Sequence, residues 1–265
     1  MSFKIIMLGD VVGATGRKAV TEILPRLRSL IKPDLVIVNG ENSAHGAGIT
    51  PKCAQTIFAA GADGITGGDH SFDRDEVIDF MGEEPRLIRP LNMPKSTPGA
   101  GMMTLSGCVI VNLAGRVFMR NGFDDPFAAM EQVLETLPKG TKIVVDFHTE
   151  ATSEINAFAR YFDGRLSAVV GTHTHMPTAD AHVLKGGTAV QSDLGMCGDY
   201  DSVIGVDERE PIHRFVHGRS SGRFQPAEGP ATLCGCLIEL SNETALAQKI
   251  KPIRIGPRLE NTHIV

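Results

Sequence analysis

Short apolar runs rich in isoleucine and valine recur along the chain. They are FKIIMLG (3–9), DLVIVNG (34–40), DGITGG (63–68), RLIRP (86–90), GCVIVNL (107–113), TKIVVDFH (141–148), LSAVVGT (166–172), GTAVQS (187–192) and TLCGCLIEL (232–240). Their length and β-branched content predict strands. Between several of them the spacing becomes that of a helix. Over 15–30, apolar residues fall at Val20, Ile23, Leu24, Leu27 and Leu30, followed by Ile31. Thr50-Pro51 and Asp125-Pro126 each supply a capping side chain followed by proline. That pairing predicts helices starting there and running to Ala60 and to Leu137. Residues 151–162 are read as a further helix. Strand–helix alternation early and strand-rich sequence late predict an α/β fold with a mixed sheet or two sheets. With no repeat or linker-like stretch, residues 1–265 are expected to form one domain. The weakly periodic segment 198–230 is open between an active-site rim and a homo-oligomer contact.

Composition removes several function classes. The 265 residues are 42% hydrophobic and 22% charged, an ordinary globular balance. A net charge of −5 with no dense Lys/Arg run argues against general nucleic-acid binding, which rests on clustered basic residues. A small anionic substrate held by a metal stays compatible. The five cysteines, at 53, 108, 197, 234 and 236, form no CxxC pair. Cys234 and Cys236 share a strand face and are read as buried structural thiols. Free thiols, the early polar turn of MSFKIIMLGD and the lack of a long apolar run predict a cytoplasmic protein without a membrane span.

The chemistry gathers at strand ends. Asp10 follows IIMLG, Glu41 and Asn42 follow VIVNG, and Asp69 and His70 follow GITGG. His148 ends IVVDFH, and His173 and His175 follow AVVGT. In open α/β sheets the functional crevice lies outside the carboxyl ends of the strands. Singly, Asp10 is explained as a helix cap, Asn42 as a turn residue and His148 as a core histidine. Five such coincidences are not. Glycines 9, 40, 67, 68 and 171 precede these residues and are expected to turn the chain sharply. In extended chain, His173 and His175 would face the same side. Four histidines, three carboxylates and one amide favour iron, manganese or zinc. They are too many for one tetrahedral ion and suit a pair of metals, the usual machinery for in-line attack by hydroxide on a phosphoryl group. A histidine that binds no metal would protonate the leaving alkoxide.

The order GD, GEN, GDH, a lone histidine and GTHTH resembles the calcineurin-like metallophosphoesterase superfamily. Within it, LGDVVGATGR, NGENSAHGAGIT, DFHTEATSE and VVGTHTHMPTAD look like the blocks of the YmdB-type bacterial phosphodiesterases. The blocks run from residue 8 to residue 180, and the resemblance extends over nearly the whole chain. It implies a layered α/β/β/α sandwich with two mixed sheets and the metal site at strand carboxyl ends. It implies that Asp10, Glu41, Asn42 and His175 hold one metal. Glu41, Asp69, His148 and His173 would hold a second, with Glu41 bridging and His70 as proton donor. The implied cofactors are two divalent or mixed-valence ions, iron first, with manganese or zinc as alternatives. The implied substrates are small cyclic nucleotides, 2′,3′-cyclic and also 3′,5′-cyclic, attacked by a metal-bridging hydroxide. Val12 stands where the wider superfamily has a histidine, and Asn42 takes over as ligand. Asp69 replaces the asparagine usual in its block; the added charge is expected to tighten metal binding.

Two other readings compete. His-x-His also binds metal in TIM-barrel amidohydrolases, although it follows an early strand there and leaves Asp10, Glu41 and Asn42 unexplained. A non-catalytic regulatory protein with a structural metal is the other. Arg116 and Arg120 are read as surface or structural residues rather than phosphate ligands. His45 is open between crevice lining and loop. Glu150 is a candidate partner orienting an imidazole. His182, His213, His217 and His263 are read as ordinary polar residues.

Overall fold

Two faces of each strand need covering, and alternate residues show how this is done. In β1 (Phe3–Leu8), Ile5 and Met7 enter one core while Ile6 and Leu8 enter another. The computed structural model describes residues 2–119 and 122–262, so Arg120 and His263 lie outside the described residues. The other strands are β2 (Leu35–Asn39), β3 (Gly64–Thr66), β4 (Met102–Leu105), β5 (Cys108–Ala114), β6 (Lys142–His148), β7 (Ala168–Thr172), β8 (His182–Val183), β9 (Ala189–Gln191), β10 (Leu233–Leu240) and β11 (Ala247–Ile255). The helices are α1 (Gly13–Ile31), α2 (Pro51–Ala59), α3 (Val77–Glu83), α4 (Pro126–Thr136), α5 (Thr152–Tyr161) and α6 (Arg209–His217).

Among the described residues two mixed sheets form, in the orders β11-β10-β1-β2-β3 and β4-β5-β6-β7-β9-β8. Strands β1, β2 and β3 run parallel, as do β5, β6, β7 and β9. The antiparallel members are β10, β11, β4 and β8. Ile5, Met7 and Ile37 from one sheet meet Ile110, Val144 and Val170 from the other in the central core. Helices α1, α2 and α3 pack on the outer face of the first sheet through Val20, Leu24, Ile57 and Met81. Helices α4 and α5 cover the second through Met130, Val133, Ile155 and Phe158. The layering is therefore α/β/β/α. Two separate open sheets rule out the barrel that the amidohydrolase reading requires.

Some elements differ from the sequence reading. Residues 86–90 make only single bridges, Leu87 to Ile65 and Ile88 to Ala100. Pro90 cannot donate to a ladder, and buried Arg89 instead donates to the carbonyls of Pro90, Leu91, Thr97 and Pro98. Strands β4, β8 and β11 and helices α3 and α6 escaped the pattern. β11 is an edge strand carrying Lys249, Lys251, Pro252 and Arg254, a composition that suits an edge and hides the strand. Leu30 in α1 is 62% exposed despite its apolar spacing. All five cysteines are buried and unpaired. Burial pushes the Cys108 and Cys234 thiols up to about 12, which suits inert packing residues. No helix among the described residues is long and apolar enough to cross a membrane.

Candidate metal centre

The strand-end residues converge on one side of the two sheets. Side-chain ligand atoms of Glu41, Asp69, His148 and His173 all lie within 4.8 Å of one another. His148 ends β6 and is fully buried. Its Nε2 lies 3.1 Å from Glu41 Oε1 and 3.0 Å from Asp69 Oδ1. His173 Nδ1 lies 3.0 Å from the same Nε2 and 3.4 Å from Asp69 Oδ1. Two imidazole nitrogens and two carboxylate oxygens aimed at one point suit a borderline divalent ion.

The remaining predicted residues stand beside this group. Asp10 is fully buried and its Oδ2 accepts the His173 backbone N–H at 3.2 Å. Its Oδ1, 3.9 Å from His148 Nδ1, has no hydrogen-bond partner. An orphaned, buried carboxylate oxygen is stabilised by a cation beside it. Asn42 Nδ2 lies 3.0 Å from Glu41 Oε1 and 3.1 Å from His175 Nε2. A half-turn of that amide brings its oxygen to the same position. The His175 ring is fixed by Nδ1 donating to the Ile204 carbonyl at 2.7 Å, which leaves Nε2 with its lone pair facing inward. Asp10, Asn42 and His175 thus add metal-ligating groups on the Glu41 side of the four-residue cluster.

The convergence of His173 and His175 does not come from extended chain. Both have positive φ, 115° and 66°. Such backbone costs on the order of 1–3 kcal/mol per residue and persists only where its surroundings enforce it. Here Asp193 enforces it, accepting the Thr174 N–H and hydroxyl at 2.8 Å each and the Gly195 N–H at 2.7 Å. None of the five strand-end glycines has positive φ. They provide room instead. A Cβ on Gly68 would stand 2.0 Å from Glu41 Oε2 and 2.5 Å from His148 Nε2, and one on Gly171 would stand 1.8 Å from the Ser192 carbonyl.

Charges in the centre oppose burial. Burial alone would lower the His148 imidazole, but Glu41, Asp69 and Asp10 outweigh it and hold it well above its ordinary value. Burial pushes the Asp10 carboxyl up to about 7. Asp69 and Glu41 are held below the usual carboxylate range because their histidine partners, His148 above all, overcome the opposing effect of burial. Without metal, His148 and Asp10 thus hold their protons to higher pH than the free side chains would.

A cleft of about 750 Å³ opens over these residues, within the range of small-molecule sites. His70 lines it, with Nδ1 2.6 Å from Asp73 Oδ2 and Nε2 3.9 Å from Asp69 Oδ2. Burial would lower its pKa, but Glu41, Asp69 and Asp73 raise it. His45 also lines the cleft, and Glu150 Oε2 meets His173 Nε2 at 3.1 Å, the orienting contact anticipated for it. Residues Ile204, Phe224 and Gln225 place part of the 198–230 segment on the rim. Phe118, 84% exposed, adds an aromatic face. Arg116 is outside the lining and pairs with Asp125 at 3.7 Å. His182, His213 and His217 also lie outside it. Sequence reasoning missed Asp193, Asp73, Arg74 and a buried layer of Asn39, Thr66, Asn112, Asp146 and Thr172. The available signal was a polar residue at an inward position of each strand.

The family described as YmdB-like protein matches residues 6–253. A 2′,3′-cyclic-nucleotide 2′-phosphodiesterase of Bacillus subtilis is 44% identical over 258 residues, covering 96% of this chain and 97% of that protein. A solved structure described as a novel phosphatase of Mycoplasma pneumoniae superposes with a TM-score of 0.90 at 35% identity, covering 97% of this chain and 94% of that one. A hypothetical protein of Thermus thermophilus superposes with a TM-score of 0.88 at 38% identity, covering 97% and 100% of the two chains.

Proposed function

Because the chain belongs to the YmdB-like protein family, we propose that it is a dinuclear-metal phosphodiesterase that hydrolyses 2′,3′-cyclic nucleotides. The observation that carries this reading is the convergence of Glu41, Asp69, His148 and His173 beside the orphaned oxygen of Asp10. The relative named for 2′,3′-cyclic nucleotides supports the substrate class. 3′,5′-Cyclic nucleotides are proposed as a second, poorer class. Iron is the proposed metal, with manganese or zinc able to replace it, and the cytoplasm is the proposed compartment.

Asp10, Glu41, Asn42 and His175 would hold one ion and Glu41, Asp69, His148 and His173 the other. When bound, the pair supplies an acidified water and neutralises charge on the phosphate oxygens. The chain's own residues do the rest. In the hydrolysis, phosphorus gains the oxygen of water and loses a ribose oxygen, and that oxygen must take up a proton. His70 delivers it: Nδ1–H is tied to Asp73, so Nε2 is the nitrogen directed to the site, and neighbouring carboxylates raise its pKa in favour of the protonated ring. Arg74 lines the cleft with its guanidinium braced by the Ala44 and Ala47 carbonyls, a rigid cation for a phosphate oxygen. Phe118 and Phe224 offer faces on which a nucleobase stacks regardless of its identity.

The deciding experiment strips the protein with chelator, reloads it with Fe(II), Mn(II) or Zn(II), and assays 2′,3′-cyclic, 3′,5′-cyclic and linear diesters. Metal-dependent turnover, fastest on the 2′,3′-cyclic substrates, is expected. A fully loaded protein that hydrolyses none of them would favour the non-catalytic reading.

Metal uptake should also release protons. In the metal-free chain His148, and in part Asp10, carry protons at neutral pH because both pKa values are raised. Asp69 and Glu41 are already ionised and contribute none. Affinity therefore rises with pH through neutrality. Calorimetric titration with Mn(II) at pH 7 in buffers of differing ionisation enthalpy should give buffer-dependent heats; identical heats would contradict the assigned protonation.

A further inference from the structure

We infer that Thr172 and Asp146 are positioning residues that hold His148 in its metal-binding tautomer. The inference rests on the metal reading above and concerns residues that contact no ion themselves. It begins with strand register. Along β6, Val144 enters the core between the sheets, so alternation sends Asp146 and His148 to the same face. The other strands repeat the change. Ala168 and Val170 of β7 are followed by Thr172, Leu35 and Ile37 of β2 by Asn39, and Cys108 and Ile110 of β5 by Asn112. Thr66 of β3 completes the layer. In each file the apolar core positions give way to a polar residue toward the carboxyl end, and all five of these polar residues are completely buried.

The layer is one network spanning both sheets. Thr172 Oγ1 donates to Asp146 Oδ1 at 2.7 Å and accepts from Asn39 Nδ2 at 3.3 Å. Asp146 Oδ2 accepts from Asn39 Nδ2 at 3.1 Å and from the Thr66 hydroxyl. Asn112 Nδ2 donates to the Asp146 carbonyl at 3.2 Å. A carboxylate only accepts, so the single hydroxyl proton of Thr172 is committed to Asp146. What remains toward His148 Nδ1, 2.9 Å away, is an acceptor lone pair. Nδ1 must therefore carry a proton, and Nε2, facing Glu41 and Asp69, is the nitrogen left to bind metal. A Thr172 hydroxyl freed from Asp146 would donate to Nδ1 and favour the opposite tautomer, whose Nε2–H blocks coordination. Asn39 and Thr66 come from the first sheet and Asp146 and Thr172 from the second, so the sheet pairing itself fixes the ring.

The test measures the Mn(II) dissociation constant of the full chelated chain, independently of substrate. Thr172→Val keeps the shape and removes the hydroxyl; it should weaken binding by about 10–100-fold, the usual cost of losing a partner that orients a ligand. Thr172→Ser should restore affinity to within a few-fold of wild type. Asp146→Asn supplies a donor to the Thr172 oxygen and frees the hydroxyl to point at Nδ1, so it should weaken binding as the valine does. It serves as the test if the valine variant fails to fold. Equal affinity in wild type and the disruptive variant, or equal losses for valine and serine, overturns the inference. A wild-type chain that takes up no Mn(II) removes the metal reading itself and the inference with it.

Discussion

Replacing His70 by alanine is expected to leave metal content unchanged and to cost about 10²–10⁴-fold in turnover, the usual contribution of a general acid. The backbone N–H of residue 70 survives the substitution and still donates to Glu41 Oε2, at 3.2 Å in the native chain. The ring's Nε2 lies 3.9 Å from Asp69 Oδ2, beyond hydrogen-bond distance. What is lost is the proton held at the mouth of the cleft. The defect should therefore shrink on a p-nitrophenyl ester, whose leaving group departs without protonation. Kinetics on good and poor leaving groups, with metal analysis of both proteins, check this. An equal loss on both substrates would assign His70 to positioning instead.

Asp69→Ala should lose metal from the site shared with His148 and His173, whereas Asp69→Asn should remain loaded and active. The Asp69 carboxylate oxygen is 3.0 Å from His148 Nε2 and 3.4 Å from His173 Nδ1, so it completes the ligand cluster. An amide preserves an oxygen at that place and gives up only the charge, which predicts a modest fall in affinity. Alanine preserves nothing there. Metal stoichiometry by elemental analysis after dialysis distinguishes the two. An alanine variant with full metal content would exclude Asp69 as a ligand.

Sequence periodicity revealed the parallel strands of both sheets because their apolar runs are fully buried, and it revealed α1, α2, α4 and α5 through spacing and caps. It failed where polarity and burial part company. β11 hides behind lysines and a proline because an edge strand needs neither apolar face complete. Arg89 is buried in a segment that reads as a strand, yet its guanidinium replaces the ladder. Most of the proposed ligands were legible because they follow glycines at strand ends, and His148 because it closes the apolar run IVVDFH. Asp146 and Thr172 were not: Asp146 sits within the run IVVDFH and Thr172 ends β7 beside His173, and only register shows that they underlie His148. Asp193 was invisible for another reason. It acts across 19 residues of chain on a loop whose backbone conformation no residue type announces.

Gly68 has a consequence for how substitutions in this chain would be tolerated. The direction in which it lacks a side chain is occupied by Glu41 Oε2 and His148 Nε2. Even a methyl group would compete for space with the atoms proposed to bind the ion. In a library of single replacements this glycine should behave like a ligand, although it contributes no atom to coordination. Gly171 should be as intolerant for a different reason, since the Ser192 carbonyl blocks it and the loop bearing His173 begins just beyond. An intolerance map would then outline the centre as a shell of excluded volume around a smaller set of donors. Reading every intolerant position as chemistry would overcount the catalytic apparatus.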